Sequence, residues 1–339
     1  MRIQICGFYG FGNIGDEAIL QSIMDELGIN NEYIISTSLP YNYWDNYYNI
    51  LKNKDYRIVD IRSHEDLRTD FDAYILGGGE LNFGYGWRQC LSVFANKLDE
   101  KEDGKKIKCM NYAVGYNRKW YYSNKLYRLY YEFLKNFDRI TVRDMHSSNL
   151  IKEIENEQVF KTGGLNPILT FDPSILLEEE KFDWPEKKVL VFPRYEDYGV
   201  HNQPQLDWII RDMLENSIRP KDVTLVACAP ISVQGIDVDL ELCKYLSKRI
   251  EGSQILNISG FEPRKIKYLI KNSKLVYSGG RYHPIVWAIE YGIPFKMSPT
   301  GFGYAKNMSI IDMFRKYGKE GLVELAKKNK EIFFEMMNS

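Results

Sequence analysis

Short, nearly continuous apolar runs alternate with longer stretches in which apolar residues recur every three or four positions. The first pattern is typical of buried strands and the second of helices that pack one face on a sheet. The strands predicted in the first half are Ile3 to Gly7, Tyr33 to Thr37, Ala73 to Leu76, Ile107 to Val114 and Ile140 to Val142. The helices predicted between and after them are Asp16 to Leu27, Gln89 to Leu98, Tyr122 to Phe137 and Asp144 to Ile151. This succession predicts an α/β fold with a parallel sheet covered by helices.

The alternation breaks after Phe171, where charged residues and Trp184-Pro185 form a segment typical of a domain connection. A second series follows, with strands at Val189 to Phe192, Val223 to Ala227, Ile255 to Ile258 and Leu275 to Tyr277. Its helices are predicted at Gln205 to Glu215, Leu240 to Ile250, Arg264 to Lys271 and Pro284 to Tyr291, followed by Ile310 to Tyr317 and Leu322 to Met337. We therefore expect two Rossmann-like domains, 1–176 and 177–309, with a cleft between them. Helices in 310–339 are expected to pack back on the first domain.

A length of 339 residues suits two cores, and 45 basic against 46 acidic residues leave no overall field for binding nucleic acid. Any anion site must therefore be a local cluster. The five cysteines form no C-x-x-C pair and are expected to be reduced, buried thiols. Cysteine and histidine are too sparse for a zinc site, so neither a metal nor a cofactor is predicted.

The chain begins directly with a strand and carries no apolar run of about 20 residues, which predicts a cytoplasmic protein. The segment Arg118 to Phe137 interleaves basic and aromatic residues. It could touch the inner face of a membrane, or it could pack into the core with its lysines extended to solvent.

The loop Gly10 to Gly15 matches G-x-G-x-x-G after the first strand. A dinucleotide site also needs a carboxylate at the end of the second strand, but that strand ends in Ser36-Thr37-Ser38. Asp16 and Glu17 would also repel a pyrophosphate at the start of the helix. Two interpretations of Asp16 stay open, a ligand of sugar hydroxyls together with the loop, or a helix N-cap.

Other candidate residues follow predicted strands, where open α/β sheets bind ligands. Gly77-Gly78-Gly79 and Glu80 follow one strand, with Asn82 close behind, and these glycines serve either a ligand or packing. Positively charged side chains lie at similar places, with Arg143 and Arg194 at the ends of predicted strands and Lys306 in a later loop. Arg143 could instead form a surface pair with Asp144.

The segment Ser278 to His283 combines two glycines, an arginine and a histidine directly after a buried strand. Gly279 and Gly280 allow close approach to the backbone, Arg281 offers a planar fork to a carboxylate or phosphate, and His283 can move a proton near neutral pH. The segment is therefore a candidate anion site with a proton donor. The alternative is a glycine-rich strand end whose Arg281 and His283 bond carbonyl groups.

Together these segments resemble the polysaccharide pyruvyl transferase family. The residues that carry the resemblance are Gly7 to Ala18, Gly77 to Gly79, Thr141 to Asp144, Gly280 to His283, Gly292 to Pro294 and Tyr304 to Lys306. The resemblance implies a fold similar to the glycosyltransferase-B fold. It also implies transfer of the enolpyruvyl group of phosphoenolpyruvate to two hydroxyls of a sugar in a cell-surface glycan precursor, which gives a pyruvate ketal.

The resemblance places the donor site on Arg143, Arg281, His283 and Lys306, with Gly280 and Arg194 beside them. His283 is the expected general acid and Arg281 and Lys306 are expected to assist catalysis. The acceptor, a sugar linked to a lipid diphosphate or a nucleotide, is assigned to a second set of residues: Asn13, Asp16, Gly79, Glu80 and Asn82. Two alternatives stay open, a nucleotide-sugar-dependent glycosyltransferase of the same architecture and a glycan-binding protein without catalysis.

Overall fold

A computed structural model describes residues 1–37, 51, 54–60, 71–81, 107–116, 130–156, 164–184, 188–194, 204–228, 238–258, 262–300 and 303–339. The chain divides into two compact units. The first unit comprises Met1–Gly10, Ile19–Leu176 and Glu320–Ser339, and the second comprises Phe11–Ala18 and Leu177–Lys319. The unit boundary after Leu176 falls where the sequence changes pattern. The short segment Phe11–Ala18, however, groups with the second unit although it follows the first strand.

The first unit is built on a parallel sheet that has eight strands within the described residues. Its strands are β1 (Arg2–Cys6), β2 (Glu32–Thr37), β3 (Asp55–Asp60), β4 (Ala73–Leu76), β5 (Glu80–Leu81), β6 (Lys108–Tyr116), β7 (Arg139–Val142) and β8 (Ile168–Leu169). The order is β3-β2-β1-β4-β6-β7-β8, with β5 beside β6. Strands β2 and β3 thus lie on one side of β1 and the later strands lie on the other, so the strand order reverses between β1 and β4.

Helix α1 (Ile14–Leu27) and helix α2 (Met145–Asn156) accompany this sheet, with a 3-10 turn at Pro173–Leu176. Strands β1, β2, β4, β6 and β7 are buried along nearly their whole length, as in parallel sheets that are covered on both faces. A hydrophobic cluster in this unit includes Tyr74, Val114, Leu134 and Ile151, all inaccessible to solvent.

The second unit has a five-stranded parallel sheet in the order β11-β10-β9-β12-β13. The strands are β9 (Val189–Phe192), β10 (Val223–Ala227), β11 (Gln254–Asn257), β12 (Leu275–Ser278) and β13 (Phe295–Met297). The helices are α3 (Pro204–Glu215), α4 (Val238–Arg249), α5 (Pro263–Lys271) and α6 (His283–Tyr291), with a 3-10 turn at Pro220–Asp222. This is the doubly wound arrangement, and its direction reverses between β9 and β12.

A last helical segment, α7 (Tyr304–Asn338), runs from the second unit into the first. Gly318 breaks its helical geometry with φ 65°, so α7 consists of two helices. The two C-terminal helices predicted from the sequence correspond to these parts, although the first begins earlier than expected.

Most predicted strands are present, and Ala73–Leu76, Val189–Phe192 and Val223–Ala227 have the predicted bounds. The short or charged strands β3, β5, β8 and β13 were not predicted. The predicted helix Gln89 to Leu98 lies outside the described residues. The prediction that the first helix starts at Asp16 with that residue as its N-cap is wrong, because α1 starts at Ile14.

Tyrosines supply much of the interior of the protein. Among the described residues, five tyrosines are fully buried: Tyr9, Tyr33, Tyr74, Tyr112 and Tyr277. In the basic and aromatic segment Arg118 to Phe137, the described residues 130–137 place Tyr130, Phe133 and Leu134 in the core of the first unit. Among the described helices, none has the length and apolar character needed to cross a membrane.

The cysteines that the structure describes are buried and form no disulfide with one another. They are Cys6, Cys109, Cys228 and Cys243, and Cys90 lies outside the described residues. Their state agrees with the expectation of reduced thiols in these four positions.

Candidate active site

The candidate anion segment lies where strand order reverses in the second unit. Strands β9 and β12 are neighbours, with Phe192 opposite Ser278 at their carboxyl ends. The Gly279 N–H donates to the Phe192 carbonyl at 2.9 Å, which joins the two strand ends. Loops that leave two adjacent strands in opposite directions leave a crevice at this position, and open α/β sheets bind ligands there.

Gly280 makes the tight turn that brings Arg281 back to the sheet edge. Its φ of 107° is left-handed and suits glycine. The backbone of Gly303 passes so close that a Cβ added there would lie 2.5 Å from the Gly280 carbonyl oxygen. Arg194, which follows β9, donates through Nη1 to the same oxygen at 3.1 Å. The structure thus brings Gly280 and Arg194 together, and their binding of the donor stays a prediction.

Arg281 is held by a carboxylate that sequence reasoning did not identify. Its Nη2 lies 2.5 and 2.6 Å from the two carboxylate oxygens of Asp239, and its Nε donates to the Pro193 carbonyl at 3.2 Å. Asp239 is fully buried in the first turn of α4, while the Arg281 side chain keeps 13% of its surface exposed. The expectation that Arg281 presents an unoccupied fork is therefore corrected, because Nη2 is already engaged.

The charge of Arg281 is secure in this position. Burial alone would lower its pKa, but the Asp239 carboxylate, with Cys228 and Asp16 near it, raises the pKa above its usual value. The guanidinium consequently stays protonated throughout the range in which proteins are folded.

His283 is the first residue of α6 and is 6% exposed. Its ring packs edge-on against Tyr282, with centroids 5.2 Å apart, and against Trp287 at 5.9 Å. On its other side lies Gly15, where an added Cβ would be 1.7 Å from His283 Nδ1. The imidazole thus rests directly on the backbone of α1, and only glycine fits at position 15.

The opening glycine loop therefore belongs to the same unit as Arg281 and His283. Asn13 accepts the Gly15 N–H through its side-chain oxygen at 3.4 Å and the Glu17 N–H through its carbonyl at 3.0 Å, so it caps α1. The Ile14 N–H donates to the Cys228 carbonyl at the end of β10. Asp16 is 6% exposed in the first turn of α1 and contributes to the field at Arg281.

Lys306 lies above the face of the Tyr282 ring, with Nζ 5.1 Å from the ring centroid. The contact places its ammonium beside the start of α6, whose positive helix end also favours anions. Within the second unit, the structure brings together Asn13, Asp16, Arg194, Gly280, Arg281, His283 and Lys306 from the predicted set.

The remaining predicted residues belong to the first unit. Arg143, which follows β7, is 1% exposed and pairs with Asp172 at 3.2 Å and with Asp144 at 3.7 Å. The surface-pair interpretation of Arg143 and Asp144 is wrong, since both are buried. The guanidinium also packs on Gly115, where an added Cβ would lie 2.6 Å from Nε. Its assignment to the donor site stays a prediction.

The triple-glycine segment follows β4 at the strand-order reversal of the first unit. A Cβ on Gly7 would lie 2.7 Å from the Gly77 carbonyl oxygen, and a Cβ on Gly78 3.4 Å from the Gly7 Cα. These glycines let the loops after β1 and β4 pack together. The Gly115 N–H donates to the Gly79 carbonyl at 2.9 Å. Acceptor binding by Gly79 and Glu80 stays a prediction, and Asn82 lies outside the described residues.

Asp239 carried no local signal in the sequence. It precedes an amphipathic run and is typical of a helix start, whereas its partner Arg281 is 42 residues away. The described residues also contain no group of three or more histidine, cysteine or acidic residues arranged to bind a metal ion.

The fold is that of the glycosyltransferase-B class. The UDP-GlcNAc 2-epimerase from Methanocaldococcus jannaschii aligns over 100% of both chains with a TM-score of 0.57 and 12% identity. The Neisseria meningitidis UDP-GlcNAc 2-epimerase bound to UDP-GlcNAc aligns over 99% of both chains with a TM-score of 0.55 and 12% identity. Anabaena HepE, in complex with UDP and glucose, aligns over 98% of this chain and 94% of its own, with a TM-score of 0.53 and 10% identity. At such identities the likeness defines the fold.

Membership of a particular family follows from the sequence. The family model of polysaccharide pyruvyl transferases matches residues 13–295, which is more than half of the chain. The chain therefore belongs to the polysaccharide pyruvyl transferase family, as the resemblance implied. A comparison with curated sequences gave no significant match.

Proposed function

We propose that this protein transfers the enolpyruvyl group of phosphoenolpyruvate to two hydroxyls of a sugar in a cell-surface glycan precursor. The product is a cyclic pyruvate ketal, and inorganic phosphate is released. The observation that carries the proposal is the grouping of Arg281 and His283 at the strand-order reversal of the second unit, in a member of the pyruvyl transferase family.

The donor requires cations and a proton source. Phosphoenolpyruvate carries nearly three negative charges, and Lys306, Arg194 and the start of α6 surround the Arg281 turn with positive charge. Nη1 of Arg281 makes no hydrogen bond within the described residues and supplies a directed donor to the carboxylate or phosphate. These groups would hold the donor while its charge is redistributed.

The reaction balances without an added cofactor. Protonated His283 gives its proton to the methylene carbon, which becomes a methyl group, while a sugar hydroxyl attacks C2 and its proton restores the imidazolium. The bond from C2 to the phosphate oxygen then breaks, a second hydroxyl closes the ketal at C2, and the proton of that hydroxyl leaves with the phosphate. Burial of His283 against Gly15, Tyr282 and Trp287 fixes the imidazole so that one ring edge can face the donor.

The test measures phosphate release from phosphoenolpyruvate with a panel of UDP-hexosamines and lipid-diphosphate-linked sugars as acceptors. His283→Ala and Arg281→Ala are expected to lower release by at least about 100-fold with the fold intact. His146→Ala on α2 and Arg315→Ala on α7 remove an exposed histidine and an exposed arginine and serve as matched controls. Full activity in both site variants would overturn the proposal.

A second measurement separates this reaction from a nucleotide-sugar-dependent glycosyl transfer on the same fold. Thermal unfolding is followed with increasing phosphoenolpyruvate and, in parallel, with increasing UDP-glucose and UDP-GlcNAc. Stabilisation by phosphoenolpyruvate that His283→Ala or Arg281→Ala abolishes supports pyruvyl transfer. Stabilisation by the sugar nucleotides alone supports the alternative, since a bound ligand stabilises only the form that binds it.

A further inference from the structure

Within the described residues, one nitrogen of the Arg281 guanidinium makes no hydrogen bond and is left for a ligand. Of its five N–H groups, the one on Nε is directed at the Pro193 carbonyl, and Nη2 is taken by Asp239. Both planar edges through which an arginine can grip a carboxylate with two nitrogens include Nη2. A ligand therefore meets Arg281 through Nη1, in an orientation that Asp239 and Pro193 determine.

Asp239 is itself fixed before any ligand arrives. Its side chain is 0% exposed, and Cys228 at the end of β10 directs its N–H (3.4 Å) and its thiol (3.7 Å) at the Oδ2 of Asp239. The turn that carries Arg281 is held as well, because Ser278 Oγ donates to the Arg281 carbonyl at 2.6 Å. The pair is thus a rigid connection between β10, α4 and the end of β12.

The ion pair with Asp239 also changes what Arg281 contributes to the site. The Asp239 carboxylate neutralises the charge of Arg281 locally, so Arg281 contributes direction more than net charge. Lys306 and Arg194 lie beside the same turn and add positive charge there. Removal of Asp239 would free the guanidinium to rotate, and the loss of direction would outweigh the loss of a nearby negative charge.

We infer that Asp239 is a positioning residue, which aims Nη1 of Arg281 at the anionic group of the donor. The inference rests on the proposed function for the identity of that donor, phosphoenolpyruvate. It requires that every effect of Asp239 on donor binding be exerted through Arg281.

A double-mutant cycle with Asp239→Ala and Arg281→Ala tests this requirement by calorimetric titration with phosphoenolpyruvate. Asp239→Ala is expected to weaken binding by about 10- to 100-fold in the wild-type background and by less than about 3-fold in the Arg281→Ala background. Asp239→Asn, which keeps one acceptor for Nη2, is expected to fall between Asp239→Ala and the wild type. Asp207→Ala, which removes an exposed pair between Asp207 on α3 and Arg249 on α4, is the matched control and should leave binding unchanged.

Equal weakening in both backgrounds, or no weakening by Asp239→Ala, overturns the inference. If Asp239→Ala does not fold, the test uses the stability of the double variant with Asp239→Ala and Arg281→Ala. Recovery of a cooperative unfolding transition in the double variant supports action through Arg281, and failure to recover it contradicts this role.

Failure of the proposed function has a different signature. If the wild-type protein does not bind phosphoenolpyruvate, the proposed function fails, and the same cycle is run with inorganic phosphate and with UDP. A coupling between Asp239 and Arg281 for either of these anions retains the positioning role. Absence of binding of all three anions to the wild type overturns both proposals.

Discussion

Replacement of Gly15 by alanine tests how the opening loop and His283 fit together. The backbone of Gly15 lies outside the left-handed region, so alanine meets no conformational strain there. The added methyl would lie 1.7 Å from Nδ1, 2.1 Å from Cε1 and 2.5 Å from Cγ of His283. Carbon atoms in contact need about 3.5 Å, so the ring or the first turn of α1 must move by about 1.8 Å.

The size of the effect follows from this displacement. Overpacking of a well-filled site costs about 1–3 kcal/mol, and Gly15→Ala should destabilise the protein by that amount. A reacting group displaced by about 1 Å can lose about 100-fold in rate, so phosphate release should fall at least as far.

In the His283→Ala background, Gly15→Ala should stabilise the protein instead of destabilising it. Without the imidazole the new methyl has room, and a glycine-to-alanine change in a helix then stabilises by about 0.4–1 kcal/mol. Denaturation in urea, followed by circular dichroism, gives the four free energies of the cycle. Equal destabilisation by Gly15→Ala in both backgrounds would refute the direct contact between Gly15 and His283.

Three further predictions concern stability. Asn307 and Asn329 are both fully buried on α7, but the side chain of Asn307 makes no hydrogen bond to the described part of the chain, whereas that of Asn329 bonds through both its oxygen and its nitrogen. Asn307→Leu should therefore raise the free energy of unfolding and Asn329→Leu should lower it, by about 1–3 kcal/mol each. The thermal midpoints should shift in the same directions, and the opposite order would contradict this reasoning. Burial raises the pKa of Glu26 from 4.5 to about 7. Its ionisation thus opposes folding, and the wild type should lose about 3 kcal/mol as the pH rises from 4.5 to 7. Glu26→Gln should flatten this part of the pH–stability profile measured in urea, and an unchanged slope would exclude Glu26 as the cause. Arg143→Met leaves Asp172 buried without its partner and should cost about 3–5 kcal/mol by the same urea measurement, and a cost below about 1 kcal/mol would show the ion pair to be unimportant.

The sequence predicts the fold because its strands are buried on both faces. Val189–Phe192 is wholly apolar, Val223–Ala227 contains a single threonine, and every residue of both runs is buried, so their bounds are visible without a structure. Strand β3 (Asp55–Asp60) was missed because it mixes charges with apolar residues, and β13 (Phe295–Met297) because three residues carry too little pattern. Local periodicity shows what a strand buries, and edge strands bury little.

The candidate site was only partly predictable, for a different physical reason. Glycine, arginine and histidine after β12 are neighbours in the chain, so their joint appearance at Gly279 to His283 is visible in the sequence. The partner of Arg281 is Asp239, which is 42 residues away, and the partner of Arg143 is Asp172, which is 29 residues away. Ion pairs of this kind are determined by the packing of separate strands and helices, and no local pattern records them.

The contact between Gly15 and His283 gives the opening loop a role that its glycine pattern does not suggest. A loop that binds a pyrophosphate uses its glycines to bring backbone N–H groups to the ligand. Here the Ile14 N–H is bonded to the Cys228 carbonyl, the Gly12 N–H to Glu17, and Gly15 is covered by the His283 ring. Each of these positions thus already contacts another part of the protein, and Gly15 holds the proposed general acid in place. This accounts for the agreement with a G-x-G-x-x-G pattern in a chain whose second strand lacks the carboxylate that a dinucleotide requires.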